Sequence, residues 1–479
     1  MTPKVESKAA SKVESPAPLI PAMPSANHGS FHTAKERMLQ GQARRKLMKR
    51  VDHAVWKPKD RRKDSLALLK ESTKGRVPKL VELKNERMAC SPFGYFRGAV
   101  PVMAYDLSLV ANTGIKTQLC GDAHVRNLGA FAGPDGRLVF DINDFDESVV
   151  GPFEWDVKRM ATSLVLAGRE ANVSNSRCCE AATAFLARYR RMMHMFARMP
   201  VLEVARYQVH RLAEVGPVSE ILLAAKRSTP ATNLLALTEA LPSHPSQRFF
   251  RTKLPVMWRV KGDEAQQVIA SLVPYAESLL PERRRFLAQY RVIDVAFKVV
   301  GTGSVGLRDY CLYLEGNGQK DPLFLQIKEE ALSAYAPYVG RDAKKTYHQG
   351  RRVVEGERAM QLQSDPFLGW TKIDGRDYLV RQLNDHKGSL DLTTLKAAGL
   401  MEYAGVCGEM LARGHARGGD CAMLAGYIGN SERFDSAVSQ FAEAYADQTE
   451  KDWEQLVKSF KKSKPLVGKP IAEKPAAQK

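Results

Sequence analysis

Two stretches of this 479-residue chain carry side chains whose types and spacing could do chemistry. The first runs from Leu119 to Trp155, LCGDAHVRNLGAFAGPDGRLVFDINDFDESVVGPFEW. Asp122 stands five residues before Asn127, with His124 between them. A short hairpin is expected to turn at Gly133–Gly136 and to return through the apolar strand Leu138–Phe140. That strand delivers Asp141, Asn143, Asp144, Asp146 and Glu147 to one end, four acids within seven residues. A surface loop tolerates such mutual repulsion in water. Beside Asp122 and Asn127, the same cluster also suits a hard divalent cation. Mg²⁺ takes oxygen ligands, usually one or two carboxylates together with waters and substrate phosphates.

The second stretch is KVVGTGSVGLRDYCLYLEGNGQKDPLFLQIKEE, residues 298–330. Gly301, Gly303 and Gly306 sit between two strands, with Ser304 in the turn. Backbone N–H groups approach phosphates closely only where side chains are absent. A G-x-G-x-x-G is weak evidence alone, and its context decides between readings. A dinucleotide fingerprint must open a helix, whereas a strand follows here. Strand, glycine loop and strand form the cover that kinases place over ATP phosphates. Lys328 ends the third strand of this block in LQIK. Leu323, Leu325 and Ile327 share one face, so Lys328 points the other way, with Phe324 and Gln326. A solvent-facing lysine is the plain alternative.

The first stretch resembles the catalytic segment of kinase-like phosphotransferases, especially the aminoglycoside and choline kinase branch. There the pattern is H-G-D-x-H-x-x-N, a hairpin, then I-D-F or I-D-W, with a later Asp opening a helix. GDAHVRN keeps the Asp, the His and the Asn, and Cys120 replaces the His before Gly-Asp. Asp144-Phe145 supplies the second element, and Asp156 follows twelve residues after Asp144. The resemblance implies that Asp122 is the catalytic base or orients the acceptor hydroxyl, and that His124 orients the loop. It implies that Asn127 and Asp144 bind Mg²⁺ and that Asp156 braces the loop from a helix start. Asp141 is the rival for the metal role, but only the Asp144 register also places Asp156. By the same resemblance the glycine loop covers ATP, Lys328 binds its α/β-phosphates, and a Glu on the next helix partners that lysine. Glu357 is preferred for this over Glu355, because it shares a face with Val353 and Met360. Arg87 and Arg97, flanking SPFGYF, suit phosphate or carboxylate as arginine forks. A buried ion pair is the alternative for Arg97, as it is for Arg159.

The order of parts is unusual, because the Asp122–Asp144 segment precedes the glycine loop by some 170 residues. The expectation is therefore an α+β, protein-kinase-like bilobed fold that is circularly permuted, its small β-rich lobe inserted after the catalytic segment. From about Arg87 to Trp453 the chain is also similar to the bacterial domain-of-unknown-function 2252 family. SPFGYFRG, QLCGDAHVRNLG, FDINDFDE, GPFEWDVKR, KVVGTGSVG, LQIKEE, SDPFLGW, YLVRQL and FAEAYADQ carry that similarity. It names no substrate.

The elements that must position these residues follow from periodicity. Residues 1–32 and 461–479 read as Ser/Ala/Pro/Lys-rich disordered tails. Residues 33–290 should form the catalytic-loop and helical lobe, 291–390 the small nucleotide-binding lobe, and 391–460 the helical completion of the large lobe. Strands are expected at 295–300, 310–314 and 323–327, then a hairpin through Asp374-Gly375. Residues 201–290 read as mostly helical. Residues 384–389 (NDHKGS) read as a hinge. His415 and Arg417 read as cations at a helix end.

Charge and composition bound the function. The formal net charge is +19, from 72 Lys+Arg against 53 Asp+Glu, which attracts polyanions. Much of it lies in the tails and in the basic segment 36–64, read either as a solvated face or as an anion-contacting surface. Seven widely spaced cysteines without a CxxC pair suggest reduced thiols and argue against structural zinc. No apolar run is long enough to span a bilayer, so a cytoplasmic protein without membrane insertion is expected. The expected function is ATP- and Mg²⁺-dependent phosphoryl transfer to a small-molecule hydroxyl. Only nine residues separate Asp144 from Glu154, too few for a protein-kinase activation loop. The alternatives are nucleotidyl (AMP) transfer with the same groups, or a non-catalytic nucleotide- or nucleic-acid-binding protein.

Overall fold

The structure is a computed structural model, and it describes residues 32–209, 212–340, 347–383 and 387–463. The expected N-terminal tail, apart from His32, lies outside the described residues, as do residues 384–386 of the hinge-like segment and 464–479 of the basic tail. The last helix, Arg433–Ser463, extends slightly beyond the expected boundary at 460. The architecture is mixed α+β with several sheets.

In chain order the strands are β1 (Lys116–Leu119), β2 (Leu128–Ala132), β3 (Leu138–Ile142), β4 (Val149–Pro152), β5 (Thr238–Leu241), β6 (His244–Phe250) and β7 (Met257–Arg259). β8 (Arg291–Lys298), β9 (Asp309–Glu315), β10 (Pro322–Glu329), β11 (Gly369–Ile373), β12 (Arg376–Gln382) and β13 (Gly388–Ser389) follow. A six-stranded sheet has the order β11-β12-β10-β9-β8-β7, with antiparallel neighbours throughout. β2 and β3 form the hairpin of the acidic stretch, and β13 adds to its open edge. β1 pairs with β4, and β5 with β6.

Alternation explains the large sheet. Val295, Phe297, Tyr310, Leu312, Leu325, Ile327, Tyr378 and Val380 face one side, where Val268, Tyr275, Leu279 and Leu287 cover them from three short helices and their connections between Gly262 and Leu287. Ala296, Cys311, Tyr313 and Phe324 face the other side and meet Phe250. The β11–β12 turn has positive φ at both Asp374 (47°) and Gly375 (70°), as a type I′ hairpin demands. Residues 238–259, read as helical, instead contain β5, β6 and β7. The packing around the large sheet thus begins well upstream of residue 291. Short strands broken by Pro242, Pro245 and Pro255 leave no alternating run long enough to read.

The largest core lies among helices Glu154–Glu170, Asn175–Phe196, Ala397–Gly418 and Arg433–Ser463. Glu154–Glu170 is buried almost throughout, with Glu154 and Asp156 in its first turn, where carboxylates favour the helix dipole. Three arginines of the basic segment turn inward rather than to solvent, while Lys46, Lys49, Lys57 and Lys59 remain exposed. Arg45 Nε donates to Tyr427 O (2.9 Å) and Arg50 Nη1 to Ile428 O (2.9 Å), capping the end of helix Cys421–Ile428. Arg61 donates to Asp106 Oδ1 (2.8 Å) and Asp452 Oδ1 (2.8 Å). Among the described residues, no helix is long and apolar enough to cross a membrane.

Candidate functional site

The turn bearing Asp122 is fixed from below. Asp156, fully buried, accepts from Cys120 N (2.8 Å) and Gly121 N (3.0 Å). Gly121 has φ +82°, and a Cβ there would lie 2.0 Å from Glu147 O, so no other residue fits without moving the acidic loop. His415 also reaches Asp156, with Nε2 3.4 Å away, while its Nδ1 meets Tyr189 Oη at 2.8 Å. His415 lies in the last turn of its helix, as expected, but it is 0% exposed and turned inward onto Asp156. The helix runs on to Gly418, and His415 sits on its inner face below Cys407 and Leu411.

Asp122 meets Arg159, whose Nε donates to Oδ1 at 2.7 Å. Arg159 is an ion-pair partner here, also donating to Phe96 O (3.1 Å). Burial pushes the Asp122 carboxyl up to about 6; Arg159 opposes this and the charge of Asp144 adds to it. His124 Nδ1 accepts from Arg126 N (3.2 Å) and its Nε2 lies 3.6 Å from Asp122 Oδ2. Burial, together with the charges of Arg97 and Arg159, holds His124 well below the usual imidazole range. Neutral, it orients the turn rather than carrying charge. Asn127 Nδ2 donates to Asp122 O (2.6 Å), which commits the amide nitrogen and leaves Oδ1 as its other polar atom.

The acidic loop meets the large sheet. Lys328, on β10, forms an ion pair with Asp146 and is 3% exposed. Burial works against charge on Lys328, but Asp146 and Asp144 outweigh it and hold the ammonium above its usual range. Burial likewise raises Asp144, but Lys328 and Arg381 reverse this and keep its carboxyl below the usual carboxylate range. Arg381 donates to Asn143 O (3.0 Å), and Arg352 to Asp146 O (2.8 Å). Lys328 therefore pairs with Asp146, not with Glu357. Glu357 is 4% exposed, its Oε2 has no hydrogen-bond partner among the described residues, and burial pushes its carboxyl up to about 8. Helix Gln349–Met360 grips the acidic loop through Arg352 instead. Asp141 is 1% exposed and ion-paired with Arg413, which removes it from contention as a solvent-side ligand. Among the described residues, no three His, Cys, Asp or Glu side chains group so as to hold a metal by themselves.

Gly301, Gly303, Ser304 and Gly306 lie in the connection between β8 and β9, and φ is positive at Gly301 (66°) and Gly306 (95°). Helix Pro78–Ala89 and the residues before it hold this loop by its carbonyls. Val77 N donates to Gly306 O (2.7 Å), Arg76 Nη1 to Gly303 O (2.9 Å), and Lys84 Nζ to Gly303 O (3.1 Å). Arg87 donates to Gly301 O. Arg97 O lies 3.5 Å from where a Cβ on Gly303 would be. Both arginines flanking SPFGYF thus lie at the glycine loop. Beneath it, Lys298, Ser304, Asp309 and Lys328 line a cavity about the size of one water.

A family model described as "uncharacterized protein conserved in bacteria (DUF2252)" matches residues 76–459. The chain belongs to that family. No curated protein and no solved structure matches it. The family match begins at Arg76, the first residue that grips the glycine loop, and takes in the acidic hairpin, Asp156, Lys328 and His415.

Sequence reasoning missed Lys84, and it placed His415 at a helix end without its contacts to Asp156 and Tyr189. Lys84 lies four residues after Leu80 and four before Met88, on the one face of its helix that is buried. A lysine at that spacing between two core residues was the available signal. For His415, the signal was its register with Cys407 and Leu411.

Proposed function

We propose that this chain is an ATP- and Mg²⁺-dependent phosphotransferase acting on a small-molecule hydroxyl, built on a kinase-like two-lobed fold with permuted order. The observation that carries the reading is the Lys328–Asp146 ion pair beside Asp144. It joins a glycine-loop sheet to an acidic loop 182 residues away in sequence, across from Asp122. Phosphoryl transfer asks a protein mainly for positioning and charge neutralisation.

In this reading Asp122 accepts or orients the proton of the acceptor hydroxyl. A carboxyl near 6 is largely ionised at pH 7 yet still basic enough for the task. Arg159 and His124 fix its orientation. The donor set fits a hard cation: Asp144 is held ionised, and the Asn127 amide presents oxygen because its nitrogen is committed. When bound, Mg²⁺ would neutralise phosphate charge. Lys328 would bind phosphate oxygens, and the loop Gly301–Gly306 would cover them. In this reading the loop lifts to admit a nucleotide, exchanging its bonds to Arg76, Lys84 and Arg87.

The test is ATP turnover and phosphoryl transfer by wild type and Asp122→Asn. Asp122→Asn should retain Mg²⁺-dependent ATP binding and lose transfer by 10²-fold or more, of order the contribution of a positioned base. Equal transfer by the two proteins would remove Asp122 from the mechanism. Transfer of AMP instead of phosphate would select the nucleotidyl reading.

A further inference from the structure

We propose that Lys84 is the ligand of a phosphoryl oxyanion, forming with the underside of the Gly301–Gly306 loop an anion subsite that faces Asp122. The inference rests on the phosphotransferase reading only for the source of the anion. Lys84 sits outside both motifs, on helix Pro78–Ala89, and is 2% exposed. An ammonium has three donors. Among the described residues, Lys84 Nζ makes one hydrogen bond, to Gly303 O at 3.1 Å, and no ion pair. Burying a cation without an anion is costly, and buried charges are ordinarily paired.

Among the described residues, no carboxylate pairs with Lys84, and the surroundings point to where an anion would go. Burial, then the neighbouring charge of Arg76, lowers Lys84 to about 7, while the charges of Glu147 and Asp122 oppose this. Glu147 is engaged elsewhere, accepting from Ala334 N at 2.6 Å. Asp122 is held by Arg159. Arg76 is likewise spent on carbonyls of the loop, Gly303 O (2.9 Å) and Val305 O (2.6 Å). Lys84, Arg76 and Arg87 thus present three cations to carbonyls of one glycine loop. Carbonyls are weak partners for cations, and phosphate oxygens are strong ones. An anion entering under the lifted loop would take over Lys84 and leave it between the transferring phosphorus and Asp122, where charge neutralisation matters most.

The ligand chemistry is a chain of phosphoryl oxyanions, supplied either by a nucleoside triphosphate or by a base-free polyphosphate. Dissociation constants for Mg·ATP and for inorganic tripolyphosphate would be measured by calorimetry on the full chain, in wild type, Lys84→Met, Lys84→Gln and Asp122→Asn. Tripolyphosphate should bind Asp122→Asn at least as tightly as wild type, since the facing carboxylate charge is removed. Both Lys84 variants should weaken it about tenfold or more, the value of one charge-assisted hydrogen bond. Lys84→Gln guards against a folding defect peculiar to Lys84→Met. Tripolyphosphate binding that depends on Lys84, without any phosphoryl transfer, would uphold the subsite and sink the proposed function. Unchanged affinity in either folded Lys84 variant, or no binding of either ligand to wild type, would overturn the subsite.

Discussion

Asp156→Asn is a change of one atom that should cost much of the chain's stability. Asp156 is buried, and its two oxygens accept from Cys120 N at 2.8 Å and Gly121 N at 3.0 Å. Asparagine fills the same space, but one oxygen becomes an NH₂ donor. One of the two main-chain N–H groups then faces a donor in dry protein and loses its partner. An orphaned buried donor costs about 1–3 kcal/mol, and the lost bond was charge-assisted, so about 2–4 kcal/mol is expected. Asp156→Leu, which orphans both donors, should cost roughly twice as much. His415→Phe removes only the 3.4 Å contact and the bond to Tyr189, and should cost less than Asp156→Leu. Urea unfolding with unchanged m-values reads all three. In the assay of transfer, Asp156→Asn should depress kcat more than it raises KM for the nucleotide, because the turn carries Asp122. An Asp156→Asn protein within 0.5 kcal/mol of wild type, on the scale of an ordinary surface change, would refute the claim that this carboxylate holds the turn.

Lys84→Met should stabilise the ligand-free protein, with a defined pH dependence. A fall from the ordinary 10.5 to about 7 means the folded chain binds this proton more weakly than the unfolded chain does. The penalty is full below pH 7, up to about 5 kcal/mol, and shrinks as pH rises toward 10.5. The advantage of Lys84→Met over wild type, measured by urea unfolding, should therefore be large at pH 6 and small at pH 10; a constant advantage would contradict the buried, charged lysine. Asp144→Asn should abolish the Mg²⁺-dependence of ATP stabilisation in thermal shift, whereas Asp141→Asn should preserve it and lower stability, because Asp141 is spent on Arg413. Arg413→Met, which strands Asp141, should cost about 3–5 kcal/mol. Gly121→Ala should disrupt the Asp122 turn, since its φ of +82° and a Cβ 2.0 Å from Glu147 O are both prohibitive; a well-folded variant with wild-type activity would show that the turn is not required in this form.

What could be read from the sequence, and what could not, divides along a physical line. β8, β9 and β10 are legible because alternating apolar residues and a glycine-rich connection are local signals. The β11–β12 hairpin is legible because Asp374-Gly375 meets a backbone requirement that few residues meet. The hairpin β2–β3 and the helix opening at Glu154 are legible for similar reasons. Which acid meets which cation is not a local property. Asp141, Asp144 and Asp146 lie on one short segment, and only packing sends the first to Arg413 and the third to Lys328. The same holds for Glu357, whose helical face is apolar enough to bury it without promising a partner. Lys84 and His415 show the sharper lesson. Each carries a polar group on the apolar stripe of a helix, where burial is costly unless something compensates it. His415 has its compensation within the chain, in Tyr189 and Asp156. Among the described residues, Lys84 has only a carbonyl. A polar residue on a core stripe therefore poses a question of partners. Where the described residues supply no anion for a buried lysine, it either gives up its proton or takes a ligand, and that is why, under the proposal above, Lys84 rather than the better-paired Lys328 is the sharper test of what the site binds.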